Sequence, residues 1–254
     1  MCLILIAIDM HPTYPLIIAA NRDEYYARPT RSLRWWPEDS QLLGGKDLES
    51  GGSWFGLNRS GYLAAVTNYR EAGADQPQRL SRGILVRDYL QDSRRDWVDW
   101  QDKNSQSFNG FNLIYGYWNQ LKWFSNRGQK LQALETGIHG LCNSLLNTTW
   151  PKVERGKALL GQAIAQNRVD PEDLLNLLHD DLHAPDNQLP DTGIGREWEH
   201  RLSSIFIRSA SYGTRASTVL LIDQQQDVQI KERNWLPDGK FHDVCERFSF
   251  LPKT

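Results

Sequence analysis

The chain is poor in sulfur, with three cysteines and two methionines among 254 residues. The cysteines, Cys2, Cys142 and Cys245, are widely spaced and odd in number, and no C-x-x-C pair occurs. This excludes a disulfide framework and fits reduced thiols in a cytoplasmic setting. No apolar run approaches the ~18 residues of a membrane helix, so no membrane insertion is expected. The opening Leu3–Ile8 run resembles the centre of a signal peptide, but no basic start precedes it and Asp9 cuts it short. Charge of one sign is lacking too. Twenty-nine basic and 31 acidic residues leave a net charge of −2, without the basic footprint of a nucleic-acid binder. The 40 % hydrophobic and 24 % charged content excludes disorder. No linker, repeat or low-complexity tract breaks the chain, which predicts one domain over residues 1–254.

Cofactor signatures are missing as well. Gly44-Gly45 and Gly51-Gly52 match no phosphate-binding loop, so no nucleotide cofactor is expected. His179 and His183 have the i, i+4 spacing of a zinc pair, yet neither the adjacent Glu nor a third ligand accompanies them, so no metal is expected.

What is present is strand-like. Leu3–Ile8 reads as a strand buried on both faces, and after His11–Pro15 a second run, Leu16–Ala20, completes a hairpin. Glycines between Gly44 and Gly61 predict loops around short strands at Ser53–Leu57 and Tyr62–Thr67. Ile84–Trp100 has a helical apolar period. Phe111–Tyr117 and Lys122–Ser125 read as a hairpin, with a short strand at Ile138–Leu141. Pro151 opens a helix to about Gln166, and Asp170-Pro171-Glu172-Asp173 starts another that stops before Pro185. A short helix over Gly195–Ser204 precedes strands at Ile205–Arg208, Ser217–Ile222, Val228–Glu232 and Arg247–Leu251. About nine strands with the helices grouped mid-chain predict an α+β fold with antiparallel sheet.

Cys2 is the first chemical candidate. Once Met1 is trimmed, its α-amine, with an ordinary pKa of about 7.7–8.0, becomes available as base to its own thiol. If the first two strands pair around a turn near residue 12, residue i faces roughly residue 24 − i. Cys2 then stands opposite Arg22, in Asn21-Arg22-Asp23-Glu24, and that cation favours the thiolate while Asp23 holds the amine. Asn68 and Asn143, each after a strand, are candidate oxyanion donors. Arg215 reads as a loop arginine. The ten Trp mostly read as packing, and Trp35, Trp36 and Trp54 are the candidates for an apolar wall of a substrate cleft.

Met1-Cys2, the literal Asn21-Arg22-Asp23-Glu24, the glycine-rich Gly44–Asn68 segment, Gly140–Thr148, Trp150-Pro151-Lys152-Val153 and Tyr212–Thr218 together resemble the NRDE family, also called the transport and Golgi organisation protein 2 family. The likeness runs from residue 1 to about 250. It implies membership of the N-terminal nucleophile hydrolase superfamily and its four-layer αββα sandwich of two mainly antiparallel sheets. In the cysteine branch, which includes choloylglycine hydrolases and penicillin V acylases, an N-terminal Cys is followed by Arg and Asp, two Asn and a late Arg. Carried over, these fall on Cys2, Arg22, Asp23, Asn68, Asn143 and Arg215. Arg22 and Asp23 are adjacent here, unlike in the acylases, and strand parity sends adjacent side chains to opposite faces. Two functions are open: a cysteine amidohydrolase acting on a small non-peptide amide, or a carrier of a hydrophobic ligand such as haem or an acyl conjugate. Either takes a small molecule as its partner.

Overall fold

The computed structural model describes residues 2–128 and 131–251, and Cys2 by its backbone alone. In chain order these residues form β1 (Cys2–Ile8), β2 (Leu16–Tyr25), β3 (Thr30–Trp36), β4 (Asp39–Asp47), β5 (Phe55–Asn58) and β6 (Tyr62–Asn68). Helices α1 (Gly83–Gln91) and α2 (Trp97–Asn104) follow, then β7 (Phe111–Tyr117), β8 (Gln120–Ser125), β9 (Gln132–Ala133) and β10 (Gly137–Leu141). Helices α3 (Pro151–Ala165), α4 (Pro171–Leu178) and α5 (Arg196–Arg201) precede β11 (Tyr212–Ile222), β12 (Asp227–Trp235) and β13 (Phe241–Ser249).

The strands make two antiparallel sheets. One has the order β10-β1-β2-β11-β12-β13 and the other runs β3 to β9 in sequence. Alternation along each strand separates three cores. Even-numbered Ile4, Ile6 and Ile18 meet Leu43, Leu57 and Ile114 of the other sheet between the layers. Odd-numbered Leu3, Leu5 and Ile17 pack instead on Val153 and Leu160 of α3 and Leu174 and Leu178 of α4. On the outer face of the second sheet, Leu42, Val66 and Phe111 pack on Leu85, Val86 and Trp97 of α1 and α2. The result is the αββα sandwich, and the wholly apolar Leu3–Ile8 run is explained by cores on both of its faces. No helix among the described residues is long and apolar enough to cross a membrane.

Several elements differ from expectation. The second strand does not end at Ala20 but runs through Asn21, Arg22, Asp23 and Glu24 to Tyr25. The Ile84–Trp100 helix is two helices, because Asp96 caps a new one by accepting the N–H of Val98 and Asp99. Gly44 and Gly45 lie within β4 rather than in a loop, and β3 was not anticipated. Ile205–Arg208 forms no strand. Its backbone is satisfied elsewhere: Phe206 N–H donates to the Asp180 carbonyl, and Ile207 N–H to Thr214 Oγ1 at 2.9 Å. The final strand begins at Phe241 rather than Arg247.

Gly52 locks the β4–β5 connection against the start of α1. A Cβ there would stand 2.3 Å from the Gly83 carbonyl carbon and 2.7 Å from Ile84 N. Backbone has to move to admit it, so Gly52→Ala is expected to lose about 1–3 kcal/mol of stability, read as a lower urea midpoint at unchanged m-value.

Candidate active site

The β1–β2 register is Cys2↔Arg22 and Leu3↔Asn21, the pairing expected from the sequence. It holds because β2 continues through polar residues, each of which finds partners. Asn21 Nδ2 donates to the carbonyls of Leu178 and Ile205 at 2.8 and 2.9 Å, and its Oδ1 accepts from Ser217 Oγ at 2.6 Å. These bonds replace the water an amide would lose on burial.

Arg22 faces the second sheet and is only 6 % exposed. Its guanidinium stacks over the Trp54 ring, 4.1 Å from the centroid. Gly45 leaves the room for that ring, since a Cβ at 45 would lie 2.1 Å from Trp54 Cζ2. Beside the stack opens a cavity of about 130 Å³, whose lining includes Arg22, Asp23, Glu24, Arg28, Asp47, Ser53, Trp54, Asn68 and Arg82. Glu24, Arg28, Asn68 and Arg82 also line an adjoining chamber of about 610 Å³, which adds Tyr25, Ile194, Trp198, Leu202 and Tyr212. The smaller chamber is therefore charged, and the larger one carries an aromatic and aliphatic wall.

The charges are interlocked. Arg28 Nε donates to Asp47 Oδ2 at 2.6 Å, while Arg22 lies 3.7 Å from Glu24 and 3.9 Å from Asp47. Burial pushes the Asp47 carboxyl up, but the Arg28 hydrogen bond and the N–H groups of Ser50 and Glu49 outweigh it and hold it below the ordinary range.

Asp23 also lines the smaller chamber, but strand parity turns its carboxyl toward the helix side of the sheet. It is 1 % exposed on the helix side of the sheet, with Oδ1 accepting from Thr214 Oγ1 at 2.7 Å. Burial raises its carboxyl above the ordinary value, against the opposing pull of Lys152, the Thr214 hydrogen bond and Arg22. Asp23 lies one step beyond the Cys2↔Arg22 pair, beside the amino end of β1. Met1 and the Cys2 side chain lie outside the described residues.

The two candidate asparagines are joined in one bond. Asn68 lines both chambers, whereas Asn143 is fully buried behind it and donates Nδ2 to the Asn68 carbonyl at 2.9 Å. Asn143 thus supports Asn68 rather than facing the cavity. Arg215 marks the irregularity where the β2–β11 register shifts between Thr214 and Ala216. Its Nη1 donates to the carbonyls of Tyr25 and Arg28, so it ties down the turn after β2 and lies outside the lining of the smaller chamber.

The tryptophan expectation is corrected in part. Trp54 lines the cleft, but Trp36 is buried among the α1–α2 core and donates Nε1 to the Gly44 carbonyl. Trp35 packs at the sandwich edge on Phe248, under the Arg59 guanidinium. Both belong to β3, an edge strand of the second sheet, and alternate toward opposite faces of it. The histidine pair is no helix-face pair either: α4 ends at Leu178, His179 stacks on Trp235 and His183 on His200.

Residues that sequence reasoning missed are Glu24, Arg28, Asp47, Ser53, Arg82 and Lys152. Asp47 left a readable trace, because an Asp two and three residues before exposed N–H groups, here those of Glu49 and Ser50, makes an Asx turn. Glu24 and Lys152 lie inside the Asn21–Glu24 and Trp150–Val153 motif blocks, whereas Arg28, Ser53 and Arg82 have no local signal.

Two antiparallel sheets between helical layers give the chain a fold of the N-terminal nucleophile hydrolase type. An arginine-to-leucine variant of the conjugated bile acid hydrolase of Clostridium perfringens aligns over 100 % of this chain and 99 % of its own, with a TM-score of 0.50 at 11 % identity. That likeness concerns the fold alone. Within it, the chain belongs to the Transport and Golgi organisation 2 family, whose model matches residues 1–237. The Transport and Golgi organization 2 homolog of Mus musculus is 36 % identical, covering 93 % of this chain and 94 % of its own length. The Homo sapiens homolog is 34 % identical over 98 % and 99 %. These names specify no reaction.

The Arg28–Asp47 pair predicts a pH signature. Asp47's folded pKa is depressed below its unfolded value of about 3.9, so its contribution is complete above that value and is lost as pH falls through the folded one. Arg28→Met is expected to cost about 1–3 kcal/mol near neutral pH. Its difference from wild type should persist near pH 5 and shrink near pH 3, as followed by urea unfolding.

Proposed function

We infer that the chain is an N-terminal cysteine hydrolase of a small non-peptide amide, acting through Cys2 once Met1 has been removed. The observation that carries this reading is the register that pairs Cys2 with Arg22, whose side chain lines a polar cleft. The cation at Arg22 favours the thiolate over the thiol. In the reaction the α-amine of Cys2 takes the thiol proton and the sulfur attacks the amide carbonyl carbon. A C–S bond forms as the carbonyl π pair moves to oxygen. Asn68 donates its side-chain amide to that oxyanion, a donor worth ~2.7–4 kcal/mol in comparable sites. Collapse breaks the C–N bond, and the leaving amine takes the proton back from the α-ammonium. Water, activated by the same amine, then opens the thioester and restores the thiol.

Asn143 serves by fixing Asn68, and Arg215 by fixing the turn that carries Arg28. The adjoining chamber, with Trp198, Leu202 and Tyr212, takes an apolar portion of the substrate. The charged smaller chamber supports a reacting amide over the wholly apolar cargo of a carrier. A reduced nucleophile suits a cytoplasmic location.

Mass spectrometry of protein from its native cells should show a chain lacking Met1. Iodoacetamide at neutral pH should label Cys2 ahead of Cys142, which is 2 % exposed, and ahead of exposed Cys245. Arg22→Ala should slow that labelling, and Arg22→Lys should restore it in part. A library of acylated amines should yield hydrolysis that Cys2→Ala abolishes. Retention of Met1, or labelling of Cys2 no faster than a free thiol, overturns the reading.

A further inference from the structure

Lys152 is the second residue of α3 and is 2 % exposed. Its Nζ is buried and has no hydrogen-bond partner among the described residues. Two effects oppose a cation there. Desolvation penalises a buried ammonium, and the positive end of the helix dipole repels it. Its retention calls for an anion within reach of its field.

The neighbouring charges narrow the choice. Arg70 stands over the Trp150 ring, but it is ion-paired with buried Glu199, and that pair neutralises itself. Arg155 is paired with Asp180, and Lys157 with Glu154. Arg22 faces the opposite side of the sheet, toward Trp54. With Glu199 already paired, Asp23 is the buried carboxylate left on the helix side among the described residues, and Lys152 is the strongest charge offsetting its burial.

We propose that Lys152 is a positioning residue, the buried counter-charge that offsets the field of the Asp23 carboxylate and so keeps the amine of processed Cys2 a neutral base. The role presupposes the hydrolase chemistry of Cys2. Asp23 stands beside the amino end of β1, where its carboxylate accepts an N–H of the released amine. A lone buried carboxylate there would hold the amine as ammonium, which is no base. A cation behind the carboxylate cancels much of that field, so the amine gives up its proton at lower pH while its acceptor stays in place.

The test compares processed full-length wild type, Lys152→Met, Asp23→Asn and the double variant. Iodoacetamide labelling of Cys2, read by peptide mass spectrometry, is followed from pH 5 to 9. Lys152→Met should move the inflection up by about half a pH unit or more, near threefold in rate on its acidic limb. In the Asp23→Asn background the same substitution should move it little, because the effect runs through Asp23. An unshifted Lys152→Met profile overturns the role, and so does an equal shift in the Asp23→Asn background, which would mark a direct field on the thiol. If Lys152→Met fails to fold while the double variant folds, the pairing of the two charges is supported, and Lys152→Gln then carries the profile. Wild-type Cys2 reacting no faster than Cys245 sinks the hydrolase reading itself. A fast wild type with an unshifted variant sinks only the role of Lys152.

Discussion

The structure depends on burying a polar tetrapeptide in a central strand. Asn21, Arg22, Asp23 and Glu24 belong to β2, which lies between β1 and β11, and the first three are at most 6 % exposed. Such a run is stable only if every amide, guanidinium and carboxylate is satisfied, because each unpaired group costs its full desolvation. The fold meets that demand by routing distant segments to the strand. Asn21 takes carbonyls from the end of α4 and from the irregular Ile205 segment, and Asp23 takes the Thr214 hydroxyl. The irregular stretch before β11 is thereby explained, since its carbonyl and N–H groups serve side chains in place of a ladder.

Strand parity then turns one short motif into two environments. Arg22 enters the inter-sheet cleft with Trp54, while Asp23 enters the helix layer with Lys152 and Thr214. The same strand thus carries a charged group on each face, a cation toward the cleft and a carboxylate toward the helices. A hairpin between β1 and β2 is the shortest connection that brings a chain terminus beside both.

How far this was legible follows from where the information lies. The hairpin and its register could be read, because two apolar runs flank a proline-marked loop and the pairing arithmetic is local. The continuation of β2 could not, because its satisfying partners are 157 to 196 residues away. Trp35 and Trp36 were unreadable for another reason. Both faces of the second sheet are covered, so an aromatic on either face looks alike in sequence, and only the three-dimensional strand order separates edge from cleft. The break between α1 and α2 lay within reach, since Asp96 before Trp97 is an ordinary helix cap that the apolar period masked.

Asn143 shows how a family likeness and a structure divide the same evidence. By chain order it matches an oxyanion asparagine, yet here it is wholly buried and its amide is given to the backbone of Asn68. Its own carbonyl accepts the Arg70 N–H at 2.7 Å, and Thr67 Oγ1 donates to the carbonyl of Cys142 beside it. The loop after β10 is thus stitched to the end of β6, the strand that delivers Asn68 to the cavity. A donor facing a developing oxyanion has to be held before charge appears, because reorientation during the reaction would consume the stabilisation it provides. On the proposed reading, buried Asn143 supplies that rigidity from the loop after β10 and half-exposed Asn68 supplies the contact from the end of β6.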